Sequence, residues 1–220
     1  KPIVYQVCFT GKECKDDDKN CYDWILSDRS LCKTVDYIVR SCKKSCNSCE
    51  FDVKYLPFNL RPLAWLVGKW RSEHGGKAIF PTIPTFTYGE QIEFSIPSMN
   101  MKAIKALNYT AFAWGINDMN ELHSEYGYIT MKPRTNIASL TTVMDNGFVT
   151  IEEGPVRNNK VELRLYNIGR ISFSRDLPVH NLLREWALVD SRTLKSRLDM
   201  ETLTHPMQEH TSIVYKKIYP

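Results

Sequence analysis

Cysteine thiols are the side chains of this chain with the clearest capacity for covalent chemistry. All seven lie between Cys8 and Cys49, and the rest of the 220 residues contains none. A segment this short cannot bury a large hydrophobic core, so clustered thiols predict disulfide bonds that stabilise a small domain. Cys46 and Cys49 also form a CxxC pair, but no second pair at zinc-ribbon spacing and no histidine accompany them. We therefore expect disulfides rather than zinc.

Disulfides indicate an oxidising compartment, because thiols in the cytosol are kept reduced. We therefore expect a secreted protein, and the start at Lys1 without a signal peptide fits a mature form. Asn108-Tyr109-Thr110 is an N-glycosylation sequon, which agrees with secretion. Seven cysteines cannot all pair within one chain, and Cys8 is the one left over. We favour an interchain bridge, which gives a disulfide-linked homodimer, over a free thiol or a bond to a small thiol.

The composition and charge of the chain indicate a folded protein and argue against nucleic-acid binding and a membrane span. Hydrophobic residues make up 43% of the chain, which is enough for a packed core, and the formal net charge is +4. No basic stretch is interleaved with aromatic residues, so we expect no nucleic-acid binding. No apolar run approaches the roughly 20 residues that span a bilayer, so we expect no membrane span.

Closely spaced β-strands are predicted from about Pro62 to the end of the chain. β-Branched and aromatic residues recur in short segments, and pairs such as Asn146-Gly147 and Asn158-Asn159 mark turns between them. This pattern predicts an all-β fold, either an antiparallel barrel or a sandwich. A closed barrel leaves no free edge and keeps an interior for one small ligand. A short helical piece is predicted at 62–67. The later predicted strands are 148–152, 160–166, 170–174, 185–189 and 211–218.

The cysteine-rich unit has a characteristic spacing, Cys14-x6-Cys21-x10-Cys32-x9-Cys42-x3-Cys46-x2-Cys49, with Trp24 three residues after Cys21. This resembles the ShKT domain, a module named after a sea-anemone toxin. Six cysteines alone leave many pairings open. The resemblance implies a disulfide-rich module with short helices, a salt bridge between Asp16 and Lys44, and the pairs Cys14–Cys49, Cys21–Cys42 and Cys32–Cys46.

Family members that block potassium channels use a Lys-Tyr pair, where this chain has Asp36-Tyr37. We therefore expect the module to dock a protein partner rather than to plug a pore. The chain is thus divided into an N-terminal lead (1–13), the ShKT-like unit (14–49), a linker (50–61) and a barrel (62–220).

Three stretches of the barrel resemble the nitrobindin family of haem-binding β-barrels. They are PLAWLVGKW at 62–70 with FPT at 80–82, EYGYITMKP at 125–133, and METLTHPMQEH at 200–210. The resemblance spans 62–220 and implies a barrel of the nitrobindin or lipocalin type. One departure is the opening GKWRSEH at 68–74, which lacks two glycines of the family's G-x-W-x-G-x-G, so the loop over the pocket is expected to differ.

The resemblance implies a haem b site with His210 as the proximal ligand of the iron. A neutral imidazole is a strong axial donor, and apolar walls shield the porphyrin. Thr82 falls on a family position near the distal face, Trp70 is expected to touch the ligand from the first strand, and His123 borders the pocket. By strand parity, Ser212 and Val214 are expected to share the side of His210 and to give it a small, apolar approach.

The first function hypothesis is a secreted haem protein. The family resemblance implies binding of nitric oxide and isomerisation of peroxynitrite to nitrate, and the same site also suits scavenging or carrying haem. The alternative is an extracellular carrier of lipids or other hydrophobic ligands, in which His210 bonds a carboxylate head group. A third hypothesis is an interaction protein whose ShKT-like unit binds a partner while the barrel is a scaffold.

Overall fold

The structure, a computed structural model, describes residues 15–46, 48, 53–81, 83–96 and 105–219. The chain divides into two compact units between Leu56 and Pro57, a boundary that falls inside the predicted linker. Among the described residues, no helix is long and apolar enough to cross a membrane.

The N-terminal unit consists of short helices held by disulfide bonds. The structure contains the pairs Cys21–Cys42 and Cys32–Cys46, two of the three that the resemblance implies. Both cysteines of the first pair are buried with Ile38, and the half-buried Trp24 packs against them. Cys8, Cys14 and Cys49 lie outside the described residues. The helices are α1 (Cys21–Ser27), α2 (Leu31–Thr34) and α3 (Asp36–Ser41), and two 3₁₀ helices follow, Val53–Tyr55 and Phe58–Leu66.

The expected salt bridge between Asp16 and Lys44 is not formed in the described part of this unit. Asp16 instead accepts two hydrogen bonds from Ser45, from the backbone N at 2.9 Å and from Oγ at 2.7 Å. These bonds satisfy both carboxylate oxygens locally, while the side chain of Lys44 remains exposed to water. An exposed ion pair would add little stability, which is consistent with its loss here.

A closed antiparallel barrel forms the second unit, which confirms the predicted all-β class and the barrel. Each strand pairs with its neighbours in sequence, and β10 closes the ring against β1. The described strands are β1 (Gly68–Ala78), β2 (Phe86–Ser95), β3 (Leu107–Gly115), β4 (Glu121–Met131), β5 (Ile137–Met144), β6 (Phe148–Arg157), β7 (Lys160–Arg170), β8 (Val179–Asp190), β9 (Thr193–Thr202) and β10 (Gln208–Tyr219).

The prediction of a separate strand at 170–174 is wrong. Gly169 still pairs with Val149 inside β7, and Arg170 ends that strand. The chain then turns back, and the guanidinium of Arg170 donates to the carbonyl oxygens of Ser174 at 2.6 Å and Asp176 at 2.7 Å within this turn. β7 therefore extends to Arg170, and the turn lies within the segment that was predicted as a strand.

Alternating strand direction gives the barrel two distinct ends. Even-numbered strands begin, and odd-numbered strands end, at what we call the upper end. At the lower end, the 3₁₀ helix Phe58–Leu66 lies against the opening, and Trp70 Nε1 donates to the Leu66 carbonyl oxygen at 2.7 Å. The fully buried apolar side chains toward this end are Leu60, Leu63, Leu66, Trp70, Phe94, Leu107, Ile129 and Leu140.

Candidate functional site

Two histidines, His210 and His123, lie near the starts of even-numbered strands and therefore at the upper end of the barrel. Their strands, β10 and β4, are separated around the ring by three strands on one side and by five on the other. They thus belong to nearly opposite walls. A proton on His123 contributes to lowering the pKa of His210, so the two rings lie within electrostatic range of each other.

A β-bulge places His210. Glu209 pairs with Asp199 and Thr211 with Leu198, so His210 is an extra residue without a counterpart on β9. Such bulges bend a strand and redirect its side chains. The backbone carbonyl of His210 accepts a hydrogen bond from the Ile79 N at 2.8 Å, which ties the bulge to the segment that follows β1.

The imidazole of His210 is neutral, so its unprotonated ring nitrogen can offer a lone pair to a metal ion. Burial, helped by the positive charge of His123, lowers the pKa of His210 to about 4. Phe80 packs edge-on against the ring with 4.2 Å between centroids. Among the described residues, no hydrogen bond engages either ring nitrogen of His210. An imidazole that is neutral, oriented and unpartnered is the form that binds a metal ion.

The bulge also overturns the parity expected beyond His210. Ile213 and Tyr215 are buried and face inward, whereas Val214 is 47% exposed. Ser212 donates to Glu209 Oε1 at 2.7 Å instead of lining an approach to the imidazole. The expectation that Ser212 and Val214 share the side of His210 is therefore wrong, because one inserted residue shifts the alternation of every later side chain.

His123 has the opposite electrostatic setting, because carboxylates flank both of its ring nitrogens. Nδ1 lies 2.8 Å from Asp145 Oδ1, and Nε2 lies 3.2 Å from Glu125 Oε1. Burial alone would lower the pKa of His123, but hydrogen bonding to Glu125 and the negative charges of both carboxylates raise it. The two carboxylates thus favour the protonated form of the ring, in which both nitrogens carry a proton.

A buried ion cluster lies next to His123 in the barrel interior. Arg184 on β8 donates to Glu152 Oε2 at 2.9 Å, and its Nη1 lies 3.2 Å from Glu125 Oε2. Tyr109 also donates to Glu125, at 3.1 Å. Burial would raise the pKa of Glu125, but the charges of Arg184 and His123 and the hydrogen bonds that both donate to it together lower that pKa to about 2. One guanidinium thus serves two buried carboxylates, and Glu125 also contacts His123.

Glu90 on β2 is a second acidic group of the interior. Burial raises the pKa of its carboxyl to about 7, although the hydroxyl of Tyr215 donates to it and counteracts the rise. Part of the Glu90 side chain remains uncovered although protein surrounds it, as expected for a residue that lines a cavity. The side chains of His123 and His210 are also partly exposed.

The structure brings together only some of the residues that the sequence singled out. Trp70 is buried at the lower end, so the structure does not bring it to His210. Thr82 lies outside the described residues. Asn108 is half-buried on the outer face of β3, where it donates to Ser95 Oγ at 3.3 Å.

Sequence reasoning missed the acidic and basic members of the interior. Glu125 follows His123 by two residues, and Glu152 follows Thr150 by two, so each pair shares one face of a strand. In 148–152 the buried face carries Thr150 and Glu152, while Val149 is 39% exposed. Polar residues at alternate positions normally indicate a solvated face, which hid this signal.

The upper end fits a haem group on the chemistry of its side chains. His210 offers a lone pair that no described residue engages. Phe86 stacks against Phe80 with 5.8 Å between centroids, and Tyr88 follows with a centroid 6.5 Å from that of Phe86. One neutral nitrogen donor beside a row of aromatic rings suits a large apolar disc with a metal at its centre.

Comparisons with known proteins agree with this arrangement. A family model described as "THAP4-like, heme-binding beta-barrel domain" matches residues 59–217. A Caenorhabditis elegans protein named "Uncharacterized protein C28H8.5" is 47% identical over 237 aligned positions, covering 99% of this chain and 78% of that protein. The Rattus norvegicus protein named "Peroxynitrite isomerase THAP4" is 32% identical over 161 residues, covering 73% of this chain and only 27% of the rat protein.

A solved structure shares the fold. The crystal structure of Rv2717c from M. tuberculosis matches with a TM-score of 0.62 and 27% identity, covering 74% of this chain and 98% of that one. The matched family model, the relatives and the geometry at His210 agree with one another. The chain belongs to the THAP4-like family of haem-binding β-barrel domains.

Proposed function

We propose that the barrel binds haem b through His210, and that the loaded protein binds nitric oxide and isomerises peroxynitrite to nitrate. The observation that carries this proposal is the neutral, half-buried His210 without a hydrogen-bond partner among the described residues. The rat relative bears the name peroxynitrite isomerase, which supports the reaction class. When bound, haem iron supplies the centre at which such nitrogen ligands react.

The residues of the chain supply binding, orientation and shielding. His210 provides the nitrogen donor, and the ring of Phe80 restricts how the imidazole can turn. The bond from the Ile79 N to the His210 carbonyl oxygen fixes the backbone beneath the imidazole. Phe86 and Tyr88 extend the aromatic wall, which excludes water from one side of the pocket.

A carrier of fatty acids or similar anions is less consistent with the interior. Such a ligand needs a cation for its carboxylate, and Arg184 is already paired with Glu125 and Glu152. His123 is held by two carboxylates, and His210 is neutral at physiological pH because its pKa is lowered to about 4. A carboxylate head group at this end of the barrel would therefore have to compete with the carboxylates that already hold Arg184 and His123.

Titration of the purified full chain with ferric haem tests the proposal. Saturable binding with a sharp Soret band is expected, and His210→Ala should weaken binding strongly or shift the band. His180→Ala is the matched control, because His180 is an exposed histidine on β8. Absence of saturable binding in the wild-type chain, or identical spectra for wild type and His210→Ala, contradicts the proposal.

We further propose that the N-terminal unit is an ShKT-type module of a secreted glycoprotein that docks a protein partner. The disulfides Cys21–Cys42 and Cys32–Cys46 support this, since they are the pairs of that module. Glycosylation at Asn108 and an interchain bridge at Cys8 complete the proposal. Expression through a secretory pathway, followed by intact mass and non-reducing electrophoresis with a Cys8→Ser control, tests secretion, glycosylation and the interchain bridge. An unglycosylated monomer that is retained in the cell would contradict them.

A further inference from the structure

We propose that His123 is the hydrogen-bond donor to a small anionic ligand bound in the barrel, and that Asp145 is its positioning residue. The inference rests on the proposed haem site. It goes further by assigning a donor on the wall opposite His210 and by naming a ligand class, anions such as azide, fluoride or the peroxynitrite anion.

The position of His123 carries the first step. It lies at the same end of the barrel as His210, on β4, which belongs to the opposite wall from β10. Its side chain is 32% exposed, whereas its neighbour Glu125 is buried in the barrel interior, so the ring stands where the interior meets open space. A small ligand bound opposite His210 would therefore approach the wall that carries His123.

The hydrogen bonds show which ring nitrogen is available. Nδ1 is 2.8 Å from Asp145, and Asp145 is anchored by Ser124, whose backbone N donates to Asp145 Oδ1 at 3.2 Å. Nε2 has the longer contact, 3.2 Å to Glu125. Glu125 also accepts from Tyr109 and Arg184. Its charge stays compensated when Nε2 turns its proton to a ligand, so Nε2–H is the donor that can be released.

The charge of the ring selects the ligand class. An imidazolium donates from both nitrogens and accepts nothing, so it favours anions over neutral diatomic molecules. The groups that face His123 are Glu125 on its own strand, Asp145 from the β5–β6 turn, Glu90 from β2 and His210 from β10. The carboxylates of Glu125 and Asp145 favour a proton on both ring nitrogens. Of the two, Asp145 does not belong to the buried ion cluster.

Azide titration of the full chain loaded with ferric haem tests the inference. His123→Leu should weaken azide binding about 10- to 100-fold, the range expected for one hydrogen bond to a charged group. Carbon monoxide binding to the ferrous protein should change far less, because that ligand is neutral. His180→Leu is the exposed control and should leave azide affinity unchanged. His123→Gln removes the charge but keeps polar contacts, and covers the case that the leucine variant does not fold.

Asp145→Asn separates positioning from a merely structural role. Removing this carboxylate lowers the pKa of His123, so the loss of azide affinity at rising pH should move to lower pH than in the wild type. Unchanged azide affinity in haem-loaded His123→Leu or His123→Gln, or an unmoved pH profile in Asp145→Asn, overturns the inference and leaves the haem site standing. Failure of the wild-type chain to bind haem overturns the proposed function and this inference together.

Discussion

His210 and His123 carry the same side chain, yet their surroundings drive their protonation in opposite directions. Burial without an anionic partner keeps His210 neutral, and two carboxylates raise the pKa of His123 and favour its charged form. Such divergence within one cavity is typical of functional sites, where each group is adjusted to its task. One ring is suited to bind a metal and the other to donate hydrogen bonds.

Protonation of Glu90 gives a prediction with a definite sign. The carboxyl has a pKa of 4.5 when unfolded and about 7 when folded. Between these values the folded state holds a proton that the unfolded state has lost, so Glu90 destabilises the fold increasingly as pH rises through this window. Glu90→Gln should therefore stabilise the apo barrel by on the order of 3 kcal/mol at pH 8 and by much less at pH 4.5. Urea unfolding at the two pH values measures this, and an equal effect at both would contradict it.

Arg184 gives a second prediction at the scale of single residues. Its removal leaves Glu125 and Glu152 buried without their cation. Arg184→Met should cost about 3–5 kcal/mol of unfolding free energy. Arg164→Met, an exposed arginine on the neighbouring strand β7, should stay within about 0.5 kcal/mol. Comparable losses in both variants would show that the cluster is not what stabilises the interior.

At the scale of elements, the bulge in β10 and the close packing of β4 on β5 shape the site. A Cβ built on Gly127 would lie 1.9 Å from the Thr141 carbonyl oxygen, a backbone atom that cannot move without disturbing the sheet. A side chain is therefore excluded at this point of β4, between His123 and the lower end. The glycine lets β5 approach and so holds the wall that carries His123.

Gly127→Ala should destabilise the barrel by about 1–3 kcal/mol, because the added methyl group forces the two strands apart. Gly169→Ala is the matched control. Its Cβ would meet no atom closer than 3.8 Å, so the change should stay within about 0.5 kcal/mol. Thermal or urea unfolding compares the two variants. A larger loss for Gly169→Ala than for Gly127→Ala would refute the role given to this contact.

At the scale of the whole molecule, every cysteine lies in residues 8–49 and the haem-binding family match lies in 59–217. Disulfide chemistry and haem binding are therefore expected to be separable. The double substitution Cys21→Ser with Cys42→Ser should make the N-terminal unit sensitive to protease while the haem affinity of the full chain stays within about twofold of the wild type. A twofold change in affinity is small beside the tenfold change that a free-energy difference of roughly 1.4 kcal/mol produces. A large loss of haem affinity would show that the two units depend on each other.

The strand and turn pattern predicted the all-β class, and the resemblance to the nitrobindin family implied the barrel and singled out His210. Turn pairs such as Asn158-Asn159 separate β6 from β7 as predicted, and the METLTHPMQEH motif ends at the histidine on the bulge. The bulge could not be predicted from the sequence, because an extra residue is recognised only once the strand is paired with its partner. The ion cluster was missed for a related reason. Glu125, Glu152 and Arg184 come from β4, β6 and β8, and only closure of the barrel brings them together.

Rescue by imidazole tests the central claim, haem ligation by His210, most directly. His210→Gly opens a cavity of the size of the lost ring, which exogenous imidazole can enter. We expect the variant loaded with ferric haem to lack the wild-type Soret spectrum and to recover it saturably as imidazole is added. His180→Gly should need no imidazole. A His210→Gly variant that shows the wild-type spectrum without imidazole would contradict the claim and would assign the axial nitrogen to another residue.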